Sequence, residues 1–117
     1  MEHKALNYDL RLDCSLEVYI PTCNAEGKIV DTLSSTKKIH YRMNTLLGGA
    51  VVSSCMANWT KEDGSTINET MYYLLSYTKE NLLQHHVHEI VGMCMNLKKS
   101  LGIDEIPIKI NGNLQIL

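Results

Sequence analysis

The stretch from Tyr8 to Ile20 constrains the fold more than any other part of the chain. Its even positions are Tyr8, Leu10, Leu12, Cys14, Leu16, Val18 and Ile20, and its odd positions are Asp9, Arg11, Asp13, Ser15, Glu17 and Tyr19. Apolar and polar side chains alternate with period two, the signature of a strand with one dry and one wet face. A helix would scatter the same residues around its axis. The stretch therefore predicts a central strand of a single sheet, ended by Pro21, which has no N–H to give to a ladder.

The rest of the chain supplies partners for that sheet. Residues 21–28 (PTCNAEGK) read as a turn-rich loop. Asp31 or Ser34 offers a cap for a helix that carries Ile39, Met43, Leu46 and Leu47 on one face and Lys37, Lys38 and Arg42 on the other. Gly48 and Gly49 end it. Ala50 to Trp59 and Thr66 to Tyr77 read as two strands joined by the Asp63-Gly64 turn. Thr78 is expected to cap a long helix that spaces Leu83, Val87, Ile90, Val91, Cys94, Leu97 and Leu101 at the helical period and closes at Gly102. Ile106 to Ile110, Asn111-Gly112 and Leu114 to Leu117 spell a final hairpin. The order βαββαβ with one added strand predicts a single α+β domain over residues 1–117. Its architecture is ferredoxin-like, with two helices on one face of an antiparallel sheet.

The run Trp59, Asp63-Gly64, Glu69 has the form W-x3-DG-x4-E, and residues 18–27 (VYIPTCNAEG) form a strand followed by a loop ending in glycine. In these features the chain resembles a family of small bacterial proteins built around a domain of unknown function, with the same element order. The first helix departs from that pattern, since it lacks the family's tryptophan. The resemblance implies a fold and no activity.

Composition narrows the functions. Eleven basic and 13 acidic side chains leave a net charge of −2, without the basic excess that nucleic-acid binders show. The four cysteines form no CxxC pair, and Cys14 and Cys94 fall on apolar faces, so a reducing, cytoplasmic setting is expected. No signal peptide and no membrane span are expected, since residues 1–7 lack an apolar core and no apolar run approaches the length of a span. There is no G-x-S-x-G elbow and no phosphate loop. Met93, Cys94 and Met95 point about 100° apart on a helix and cannot converge on one ion. Cys23 stands in a loop without a base nearby in sequence. His85, His88 and Glu89 share one helix face and are the candidate metal ligands. The simpler reading of that face is a solvated helix start, and no cofactor is expected.

The sheet face away from the helices is the most informative surface. The third strand has two nearly degenerate registers. Either Asn68, Thr70, Tyr72 and Leu74 face outward beside Arg11 and Tyr19, or Glu69, Tyr73 and Tyr77 do. Both give an outer face of tyrosines and aliphatics among polar groups, suited to self-association as a dimer or larger oligomer. The first functional expectation is a non-catalytic protein that acts on a protein partner. Phages and mobile elements often carry such small chains to block a host system. The alternatives are a protein that binds or sequesters a nucleotide or other anion through Arg11, Tyr19, Tyr72 and Arg42, and a small metal protein or enzyme using the histidine face.

Overall fold

In the computed structural model, which describes residues 12–60 and 62–117, five strands form one antiparallel sheet with two helices on one face. The elements are β1 (Cys14–Pro21), α1 (Leu33–Leu47), β2 (Val51–Thr60), β3 (Thr66–Thr78), α2 (Glu80–Leu101), β4 (Pro107–Ile110) and β5 (Asn113–Ile116). The strand order is β2-β3-β1-β4-β5 and every pair is antiparallel, so β1 is the central strand. This is the α+β, ferredoxin-like architecture with an added edge strand. Among the described residues, no helix is long and apolar enough to cross a membrane.

The alternation in β1 sets the two layers. Cys14, Leu16, Val18 and Ile20 are buried under the helices, where they meet Ile39, Met43 and Leu47 of α1 and Leu83, Ile90, Cys94 and Leu97 of α2. The strand begins at Cys14, so Leu12 and Asp13 of its sequence pattern fall outside it. Residues 8–11 lie outside the described residues, and Leu12, expected on the dry face, is 46% exposed. The cause is the partner: β3 ends at Thr78, opposite Cys14, and the chain then turns into α2, so among the described residues no strand lies beside Leu12 to cover it.

The register of β3 follows from its pairing with β1. Val18 lies opposite Leu74, Leu16 opposite Ser76 and Ile20 opposite Tyr72. Directly paired residues share a face, so Tyr72, Leu74, Ser76 and Thr78 face the helices. Glu69, Met71, Tyr73, Leu75 and Tyr77 face outward, as in the second of the two registers above. Thr78 is not the cap of α2. That position belongs to Lys79, which makes no side-chain cap. The buried Thr78 hydroxyl donates instead to the Leu47 carbonyl at 2.8 Å, satisfying a C-terminal carbonyl of α1. The cap of α1 is Thr32, with Asp31 Oδ1 accepting the Leu33 N–H at 3.1 Å. At the last hairpin Asn111 and Gly112 both have positive φ (52° and 81°), the type I′ geometry that suits a two-residue turn.

Burial pushes the Cys94 thiol up from 9.0 to about 12. The native state therefore keeps its proton where the unfolded chain loses it. The resulting stabilisation is whole below about pH 9 and is lost as pH rises towards about 12. Urea unfolding at a series of alkaline pH values is expected to show a steeper fall for the wild type than for Cys94→Ala, by up to about 1.4 kcal/mol per pH unit. Parallel curves would show that this thiol does not carry the effect.

Candidate functional site

A cleft of about 690 Å³ opens at one end of the sheet's outer face. It exists because the central strand stops early. β1 ends at Pro21, opposite Met71, whereas β3 begins five residues further out, at Thr66. The start of β3, paired with β2 but running past the end of β1, forms one wall, with Ile67, Asn68 and Glu69. The connection from α2 to β4 forms the other, with Asp104 and Glu105. Pro21, Met71 and Pro107 make a buried apolar floor, and the loop 21–28 closes the inner end.

That loop is tied on three sides. The Thr22 hydroxyl donates to the Thr70 carbonyl at 2.6 Å, and the Cys23 N–H donates to Glu69 Oε1 at 3.3 Å. These two contacts continue the β1–β3 ladder by other means once Pro21 has ended it. The Ala25 N–H donates to the Gly102 carbonyl at the end of α2 (2.8 Å). Within the loop, Asn24 Oδ1 accepts the N–H groups of Glu26 and Lys28 at 3.0 and 2.9 Å, an arrangement typical of Asx turns. Gly27, at φ 78°, supplies the left-handed residue that lets the loop reverse. The cleft is therefore preformed.

Among the described residues, four carboxylates line it, those of Glu26, Glu69, Asp104 and Glu105, and no Lys, Arg or His does. Lys28 reaches Glu26 at 3.6 Å across an exposed surface, which screens that pair strongly. One outer-face position along β1 from Pro21 stands Tyr19. Its ring packs at 5.1 Å on Tyr73, and the Lys109 ammonium lies 5.9 Å from its centroid. The Tyr73 hydroxyl donates to Glu17 Oε1 at 2.5 Å. Burial, then this carboxylate, push the Tyr73 phenol well above its ordinary value. It stays protonated and serves as a donor.

The residues chosen from sequence are dispersed. Arg11 lies outside the described residues. Tyr19 is on the outer face beside the cleft. Tyr72 is on the opposite face, packed against the core. Arg42 is on α1, also on the helix side, where its Nε donates to Glu89 of α2 at 2.6 Å. The chain thus does not bring Tyr19, Tyr72 and Arg42 into one pocket. This ion pair also occupies the carboxylate of the candidate metal face and holds Glu89 below the usual carboxylate range. His85 and His88 are exposed, and the His85 ring packs edge-on against His86 at 4.7 Å. Among the described residues, no group of three His, Cys, Asp or Glu is placed to hold a metal ion. Cys23 and Glu26 lie far in sequence from Asp104 and Glu105. Only the end of β1 at Pro21 could have pointed to where they meet.

Fold and site together define a small ferredoxin-like domain with an acidic cleft at the end of its central strand. Solved structures share that fold. One is a phage SAM lyase in complex with S-methyl-5′-thioadenosine, at 11% identity and a TM-score of 0.57, covering 94% of this chain and 93% of that one. A phage SAM lyase in the apo state is similar at 15% identity and a TM-score of 0.59, over 94% of this chain and 91% of that one. CutA1 from Pyrococcus horikoshii OT3 is also similar, at 15% identity and a TM-score of 0.50 over 83% and 79%. At these identities the likeness is one of fold. No family model matches the chain, and comparison with curated proteins gives no match.

Proposed function

We propose that the protein binds a small cationic nucleoside of the S-adenosylmethionine class in the acidic cleft. The observation that carries this reading is a preformed cleft of about 690 Å³ whose described lining holds four carboxylates and no basic side chain. That volume lies within the range of small-molecule sites. The carboxylates suit a positive centre such as a sulfonium, and the apolar floor of Pro21, Met71 and Pro107 suits the uncharged part of the same ligand. Neighbouring Tyr19 offers a ring on which a base can stack. The likeness of fold to a phage lyase solved with S-methyl-5′-thioadenosine supports the choice of ligand class. Ligand binding therefore comes ahead of the protein-partner role expected from the sequence, and the ligand is a cation where an anion was expected.

Calorimetric titration tests the proposal. S-adenosylmethionine is expected to bind more tightly than its neutral thioether, S-adenosylhomocysteine. Glu69→Gln keeps an oxygen for the Cys23 N–H and removes the charge, so it should weaken S-adenosylmethionine by about tenfold and the thioether little. Chromatography of the same mixtures for released S-methyl-5′-thioadenosine tells a binder from a lyase. No binding of either ligand, or equal loss of both in Glu69→Gln, would count against an electrostatic site.

A further inference from the structure

The sheet that carries the cleft ends in two open edges. Among the described residues β2 has β3 as its one neighbour and β5 has β4 as its one neighbour. Their outer sides present backbone N–H and C=O groups with no strand to pair with. Native edges are usually blunted by lysine, proline or a bulge. Here β2 reads VVSSCMANWT and β5 reads NLQI, without a charge or a proline in either. Both expose apolar side chains: Val51, Val52 and Met56 at 58%, 46% and 66% on β2, and Leu114 and Ile116 at 57% and 50% on β5. Burying such groups favours association in proportion to their area. The four residues of β5 limit a ladder to a short one, so these side chains have to contribute much of the contact.

We infer that copies of this chain assemble head to tail, the β2 edge of one on the β5 edge of the next, and that the neighbouring copy walls the cleft. A second copy is the occupant because one chain presents both edges, alike in lacking charge and in their apolar side chains. Pairing β2 on β2 would cover one edge and leave Leu114 and Ile116 in water, whereas head-to-tail pairing covers both. Contacts of this kind are heterologous and close into rings when the rotation allows. Ile116 belongs at once to β5 and to the lining of the cleft. A strand laid along β5 therefore becomes the cleft's next wall. This last step rests on the ligand reading above; the assembly itself does not.

Native mass spectrometry and light scattering read the assembly without ligand. The wild type is expected to be oligomeric, and Val52→Lys and Leu114→Lys each monomeric with unchanged circular dichroism. An equimolar mixture of the two variants should give heterodimers and nothing larger, since one copy keeps a working β5 and the other a working β2. A monomeric wild type overturns the inference, and so does a Leu114→Lys protein that stays assembled. For the cleft wall, Val52→Lys replaces no cleft residue yet should bind S-adenosylmethionine several-fold more weakly than the assembled wild type. Equal binding by monomer and assembly overturns the wall. Expected masses with no binding by either protein uphold the edge pairing and reject the cleft ligand.

Discussion

Replacing Leu74 by alanine is expected to lower the free energy of unfolding by about 3–4 kcal/mol, read as a fall in the urea midpoint at unchanged slope. Leu74 is fully buried at the middle of β3, with Val18 opposite it on β1 and both helices packed over that face. Truncation removes its transfer free energy and leaves a cavity that its sheet-bound neighbours cannot close. A domain of this size has roughly 5–15 kcal/mol in all, so the variant would lose a large share. The adjacent Leu75 is the control. It lies on the outer face, opposite Glu17 and Val51, and is partly exposed. Leu75→Ala is expected to cost about 1 kcal/mol. Equal costs, or a reversed order, would contradict the register of β3.

That register is where sequence and structure part. In β1 the wet face carries Glu17 beside Ser15, so local chemistry alone decides which side is buried. In β3 the outer set of Met71, Tyr73, Leu75 and Tyr77 is the more apolar, yet it is Tyr72 and Leu74 that face the helices. The buried set also holds two hydroxyls, Ser76 and Thr78, which by local pattern ought to face water. Tertiary pairing overrides the pattern. Thr78 is compensated by the Leu47 carbonyl, whereas Ser76 Oγ is buried with no hydrogen-bond partner among the described residues. The consequence for the site is direct. A binding set that joined Tyr72 to Tyr19 depended on the other register, and Arg42 depended on a helix face that turns towards Glu89. The element order, the Asn111-Gly112 turn and the core positions of both helices were legible, because each rests on residues near in sequence. The cleft was not. It arises from a difference in strand lengths, β1 ending at Pro21 while β3 continues out to Thr66, and its four carboxylates span residues 26 to 105. Glu69 could be noticed only as part of a hairpin signature, with no hint of the Cys23 N–H that it accepts.

Thr32 is where the second large effect is expected, because it ties the core to the cleft. It is 1% exposed. Its hydroxyl donates to the Pro21 carbonyl at 2.9 Å, and its own carbonyl accepts both the N–H and the hydroxyl of Thr36, at 2.9 and 2.8 Å. Valine has nearly the same shape and no hydroxyl. Thr32→Val would take from the Pro21 carbonyl a buried donor, a loss worth about 1–3 kcal/mol of stability. Thr32→Ser, which keeps the donor, should recover part of it. Pro21 also ends β1 and forms the floor of the cleft, so the same change should loosen that floor. Thr32→Val is therefore expected to weaken binding of S-adenosylmethionine several-fold as well as lower the urea midpoint. Leu74→Ala, which lies outside the cleft lining, should lower stability alone under conditions where it is folded. If Thr32→Val loses stability with unchanged affinity, the cleft is held by the bonds of Thr22, Asn24 and Ala25 without help from α1. If both fall together and serine restores both, one buried hydroxyl links the packing of α1 to the shape of the site.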